Sequence, residues 1–190
     1  MIVVVDMTDG KSFCFAKLLQ TLKIYQESFR IVKTIQDIQK ISSPDINGII
    51  ISGSQLRLTT TTGSQTHTTV HIDDIQLPMY CILTFKVPIL GICFGCQLLN
   101  YIHGGKLKPF GREVCESHSK LHFCFNDVIS KVAPGFQVHR KVKVDGKQVI
   151  CHISKDNMTG LLFHPEADLD KSGELASFLQ RCKQMFQNKN

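Results

Sequence analysis

VPILGICFGCQLLNYIHGG, residues 87–105, decides how this chain is read. An apolar run over 87–92 meets Cys93, with Gly91 and Gly95 two positions to either side. A helical pattern follows at once, carrying Leu98, Leu99 and Ile102 on one face and stopping at Gly104 and Gly105. The stretch predicts a strand, a tight turn and a helix. A side chain on such a turn stands beyond the carboxyl end of a buried sheet, and the two glycines leave room for the close backbone approach that the reversal requires. The helix behind Cys93 aims unpaired amides at the sulfur, which favours thiolate over thiol. Cys93 is therefore a candidate nucleophile. An unpaired cysteine is more often ordinary core, and the flanking glycines are what set this one apart.

Upstream, residues 2–5 and 29–32 read as short strands and 48–52 (GIIIS) as a third, with helical patterns between them that include Phe15, Leu18, Leu19 and Leu22, and then 34–41. Continuous apolar runs alternating with helices predict a parallel sheet covered on both faces, with functional residues beyond its carboxyl ends. Ser52, Gly53 and Ser54 lie at such an end. Asp73 and Asp74 can open a helix reaching Phe85, which Pro78 kinks or splits. Downstream of Gly105 the texture changes to alternating segments at 113–125, 136–144, 149–154 and 159–163, with turns at Pro134-Gly135 and Asp145-Gly146. These predict antiparallel strands, some extending the sheet at an edge. Residues 172–187 carry Leu175, Phe178, Leu179, Cys182 and Phe186 at helical spacing and predict an amphipathic helix. The expected fold class is α/β: a mostly parallel central sheet, helices on both faces and antiparallel edge strands, in one domain over 1–190.

Composition narrows the function classes. The 190 residues carry 22 Lys and Arg against 16 Asp and Glu, a formal charge of +6, and the basic residues fall in short groups (Lys106, Lys108 and Arg112; Arg140, Lys141, Lys143 and Lys147) that read as solvated faces. With no nucleic-acid reading element, no basic leader before the first apolar run and no apolar stretch of membrane-spanning length, a soluble cytoplasmic protein with no nucleic-acid or membrane partner is expected. Eight cysteines scattered through apolar surroundings predict reduced thiols. Residues 55–69 are polar and threonine-rich and read as a surface loop that could serve as a lid. His67 and His71 are four apart, but with no helix and no carboxylate partner they make no zinc site, and no metal or cofactor is expected.

The other half of the candidate site is GLLFHPEAD. Residues two apart on an extended backbone face one side, so His164 and Glu166 can meet across Pro165. A carboxylate beside an imidazole holds one tautomer and stabilises the cation formed when the ring takes a proton from a thiol. Nucleophile, base and orienting carboxylate are then all present.

GICFGCQ, FHPE and the strand-end Ser52-Gly53-Ser54 together resemble the class I glutamine amidotransferases, over essentially the whole chain, and MIVVVD, GIIISGS and VPILGICFGCQL look most similar to the free-standing glutaminase subunits of GMP synthases. The resemblance implies a flavodoxin-like sheet and a Cys-His-Glu triad of Cys93, His164 and Glu166. It further implies an oxyanion hole from the backbone amides of Gly53 and Phe94, glutamine held in part by Gln97, and ammonia passed to an ATP-dependent synthetase on another chain. The sequence also departs from the family. Ser52-Gly53-Ser54 stands where Gly-Gly-Pro is usual, and Lys141 and Val142 stand where the synthase subunits have a Ser-His pair, a loss that His118 is wrongly placed to repair. Three other readings follow from the same residues: a non-catalytic relative that keeps the fold, a γ-glutamyl hydrolase or peptidase, and a dithiol redox pair of Cys93 and Cys96.

Overall fold

In the computed structural model, residues 1–8, 12–59 and 71–187 are described. His67 and most of the threonine-rich stretch, with its lid reading, fall outside them. In chain order the elements are β1 (Ile2–Val5), α1 (Phe13–Ile24), β2 (Phe29–Val32), α2 (Ile35–Gln39), β3 (Gly48–Ile51), α3 (Ile72–Thr84), β4 (Ile89–Ile92) and α4 (Phe94–Ile102). They continue with β5 (Lys106–His118), β6 (Leu121–Lys131), β7 (Gln137–Val144), β8 (Lys147–Lys155), β9 (Met158–Leu161), a 3-10 turn (Pro165–Asp168) and α5 (Glu174–Gln187).

The main sheet has the order β2-β1-β3-β4-β9-β8-β7. Its first five strands are parallel, and β8 and β7 add antiparallel at the edge. This is the doubly wound arrangement in which the strand order reverses between β1 and β3, so a crevice opens above their carboxyl ends. β1, β3, β4 and β9 are buried along their whole length. That is why β1, β3 and β4 read as uninterrupted apolar runs, whereas β9, expected from the sequence as an antiparallel strand, pairs parallel to β4 and antiparallel to β8. No described helix is long and apolar enough to cross a membrane.

Three local features differ from the sequence expectation. Residues 113–125, read as one strand, fold as the two arms of a hairpin: β5 and β6 pair as a separate two-stranded sheet, turning at Ser119 and Lys120. Both turn residues take positive φ (51° and 66°), the geometry of a tight hairpin turn, without the Asn or Gly that signals one in a sequence. Pro78 does not split α3, which is continuous from Ile72 to Thr84 with Ile75, Leu77, Pro78, Cys81 and Ile82 buried. Burial of that face outweighs the one backbone hydrogen bond a proline removes. Finally, Glu166 lies on a 3-10 turn and not on an extended strand.

The glycines around the elbow are required by packing. A Cβ on Gly91 would lie 2.5 Å from the Gly95 carbonyl carbon and oxygen, and one on Gly95 would strike the Ile51 carbonyl oxygen. Strand β4, helix α4 and strand β3 therefore touch backbone to backbone. Gly91→Ala is expected to destabilise the protein by about 3 kcal/mol, because nothing there is a flexible side chain that can yield. Gly146→Ala, at a turn with open space around it and φ of 72°, should cost about 1 kcal/mol. Urea denaturation of the two variants measures the difference.

Candidate active site

Cys93 joins β4 to α4 with φ 51° and ψ −103°, a conformation that non-glycine residues rarely hold. Its own N–H donates to Leu161 O at 2.7 Å, and its carbonyl accepts the first helical bond from Gln97 N at 3.1 Å. The N–H of Phe94, the first helical residue, consequently has no acceptor within the helix and faces the turn. Cys93 is 4% exposed and lines a cavity of about 640 Å³ above the carboxyl ends of β1, β3 and β4.

His164 follows the end of β9 and is anchored by its N–H, which donates to His122 O on β6 at 2.8 Å. Its ring Nδ1 meets Glu166 Oε1 at 2.8 Å, both side chains buried. The expected partnership is therefore present, although it is made across the 3-10 turn that Pro165 opens. With Nδ1 engaged by the carboxylate, the other edge of the ring faces Gly53 and Cys93: a Cβ on Gly53 would come within 3.0 Å of His164 Cε1 and 3.5 Å of Cys93 Cβ. Cys93, His164 and Glu166 line the same cavity. The Cys93 thiol also donates to Cys124 O at 3.0 Å.

Burial opposes a charge on His164, but Glu166, and after it Cys93, outweigh burial and hold its pKa well above the usual 6.5. The sign of the consequence follows. Below about 6.5 the ring is charged in folded and unfolded chains alike, and its favourable pairing is fully present; that stability is lost as pH rises through the raised folded value. Glu166→Gln removes the largest of the influences that raise the ring's pKa and should move its titration down from the wild-type position. Following the imidazole Cε1–H resonance against pH in both proteins checks this, and stability of the wild type should decline across the alkaline range more steeply than that of the variant.

The strand-end loop after β3 sits over the site. Ser52 Oγ accepts from Met7 N at 2.9 Å and donates to Gly53 O at 3.0 Å, which ties the ends of β1 and β3 together. Ser54 Oγ accepts from Leu56 N at 3.1 Å, a local turn in a loop that lacks the family's proline. Gln97 is placed beside the cavity and does not line it: buried under α4, it donates from Nε2 to Asp127 O at 2.8 Å. Cys96 is fully buried in α4, where a Cβ on Gly160 of β9 would come within 2.9 Å of its sulfur, and burial pushes its thiol well above the ordinary value. It packs as a small apolar residue. His118 sits at the far end of β5 against Glu116, at 3.2 Å.

Three residues of the site were not singled out from the sequence. Cys14, in the first turn of α1, lines the same cavity. Its sulfur, a His164 ring nitrogen and a Glu166 oxygen lie within 4.8 Å of one another, a spacing that three ligands of one metal ion also have. Without flanking glycines or an elbow, nothing in its local sequence marks Cys14 as Cys93 is marked. Arg57 and Asp127 form a buried ion pair between the strand-end loop and β6, with Arg57 Nε 3.3 Å from Asp127 Oδ2 and a second contact from Nη2 to Oδ1. Seventy residues separate the two, and no local pattern announces them.

The family profile of Peptidase C26 matches residues 29–158. Among curated proteins, a glutamine-hydrolysing GMP synthase subunit of Methanococcus vannielii is 26% identical over 191 residues, covering 91% of this chain and 92% of that protein. GMP synthase of Fusobacterium nucleatum is 24% identical over 190 residues, covering 90% of this chain and 34% of that protein. The chain thus spans about a third of the length of the full synthases it matches. Among solved structures, that of a GMP synthase subunit from Thermoplasma acidophilum superposes with a TM-score of 0.72 at 17% identity, covering 99% of this chain and 96% of that one, a likeness of fold. With that profile matched across well over half of its length, the chain belongs to the Peptidase C26 family of class I glutamine amidotransferases.

Proposed function

We propose that this protein hydrolyses L-glutamine to glutamate and ammonia through a γ-glutamyl thioester on Cys93, supplying the ammonia to an ATP-dependent synthetase of the GMP synthase type. The observation that carries the reading is the meeting, at one cavity, of a cysteine on a strained elbow, an imidazole and a carboxylate 2.8 Å from the ring's Nδ1.

His164 takes the thiol proton as Cys93 Sγ attacks the side-chain amide carbon, and returns it to the departing nitrogen, which leaves as ammonia. Water then attacks the thioester, giving its proton to His164 and displacing the thiol. Glu166 keeps the ring oriented and offsets its charge. The amides of Phe94 and Gly53 receive the oxyanion, each donor contributing about 3 kcal/mol in comparable sites. Gln97 acts by position, fastening α4 to β6 behind the nucleophile. The far wall of the cavity carries both signs, Asp73 and Asp74 from the start of α3 and Lys33 beside Asp6 at 3.4 Å, which suits the ammonium and carboxylate of an amino acid.

The test is ammonia release from glutamine by the protein alone and with the GMP-synthase-type synthetase of the same organism added, together with labelling by a glutamine-mimicking chloroketone. Ammonia release and selective labelling of Cys93 support the proposal; neither turnover with the synthetase present nor labelling overturns it. The family's peptidase designation favours one second reading, cleavage of γ-glutamyl conjugates through the same thioester. Faster turnover of a γ-glutamyl peptide than of free glutamine would select it.

A further inference from the structure

The β5-β6 hairpin brings two thiols together at the rim of the cavity, and the proposed hydrolysis uses neither. Cys115 and Cys124 face each other directly in the antiparallel register, and their sulfurs are 2.9 Å apart. Residues opposite one another in such a pair have Cα atoms about 4.5–5.5 Å apart, inside the range a disulfide spans. Cys115 is the one exposed cysteine of the eight, whereas Cys124 is half-buried, lines the cavity, and offers its carbonyl to the Cys93 thiol at 3.0 Å.

We propose that Cys115 and Cys124 are a modification site, a thiol pair that reduces a small-molecule disulfide of the glutathione type and closes as a cross-strand disulfide beside the nucleophile. The Cys115 thiolate attacks the small disulfide, forming a mixed disulfide and releasing one glutathione thiol. Cys124, having given up its proton to solvent, attacks the Cys115 sulfur and releases the second. The two protein thiols are oxidised and the small disulfide is reduced to two thiols, so the exchange balances. Cys115 is the point of entry because it is exposed; burial first, and then its contact with Cys115, pushes the Cys124 thiol up to about 12 and makes it the slower partner until the mixed disulfide sits next to it. The bond joins the strand whose carbonyl holds the Cys93 proton, so oxidation at the surface reaches the wall of the site through one hydrogen bond.

The test is peptide mapping, whose readout does not depend on glutamine turnover. Trypsin places Cys115 in residues 113–120 and Cys124 in residues 121–131, each the only cysteine of its peptide. After equilibration of the native protein with oxidised glutathione and blocking of free thiols, the two peptides should be recovered joined and lacking two hydrogens. The joined species should vanish with dithiothreitol and be absent from Cys115→Ser. Recovery of Cys115 as a lasting glutathione adduct with Cys124 free, or of Cys124 joined to Cys93 or Cys14, overturns the proposal.

Discussion

Cys93→Ala and His164→Ala should each lower kcat for glutamine hydrolysis by about 10⁴-fold or more, and the double variant should be scarcely worse than either single one. The reason lies in the division of labour around the elbow. Without the sulfur there is no thioester, and without the imidazole the thiol proton stays on Cys93. Either loss removes the whole covalent route, so their costs overlap instead of adding. What survives is the contribution of the oxyanion donors and of substrate binding, with KM changed much less than kcat. Cys96→Ser supplies the contrast, because its sulfur is fully buried and outside the cavity: turnover within a few-fold of wild type is expected. Initial-rate measurement of ammonia for the wild type and the four variants settles the matter, and additive losses in the double variant would mean that the two residues act independently.

Asp127→Ala is expected to destabilise the protein by about 3–5 kcal/mol, the cost of breaking a buried ion pair whose Arg57 side chain is only 8% exposed. Replacing both partners by leucine should recover most of that loss, because both buried charges are then removed together. The double-mutant cycle in urea distinguishes this from a simple packing defect, in which the two losses would add. A kinetic consequence accompanies it. Arg57 lies four residues beyond Gly53, in the loop whose usual stiffening proline is missing, and Asp127 lies three residues beyond Cys124 on β6. In the proposed mechanism the ion pair, with the Ser52 hydroxyl bridge between the ends of β1 and β3, would take over the task of keeping the Gly53 amide over the site. The double leucine variant should accordingly fold while losing turnover, which separates positioning of the loop from stability.

The elbow, the alternation of buried strands with helices and the His-Glu partnership were legible because each rests on short-range constraints. A six-residue apolar run, glycines at fixed offsets from a cysteine, and a histidine two places from a glutamate each restrict the backbone over a few residues. The hairpin of β5 and β6 was not legible, because Ser119 and Lys120 turn the chain without the glycine or asparagine that favours positive φ. Strand pairing across the hairpin overrides that local preference.

Taken alone, then, the sequence determined that this is an α/β protein with its chemistry past the carboxyl ends of parallel strands, and named Cys93, His164 and Glu166 as candidates, since periodicity and turn sterics are written into neighbouring residues. Tertiary structure decided the rest: that Cys14 lies near the imidazole, that Arg57 meets Asp127, that Gln97 turns to β6 and away from the cavity, and that Cys115 finds Cys124. Each of these is a contact set by how sheet, helices and hairpin pack, and packing joins residues that no spacing along the chain relates.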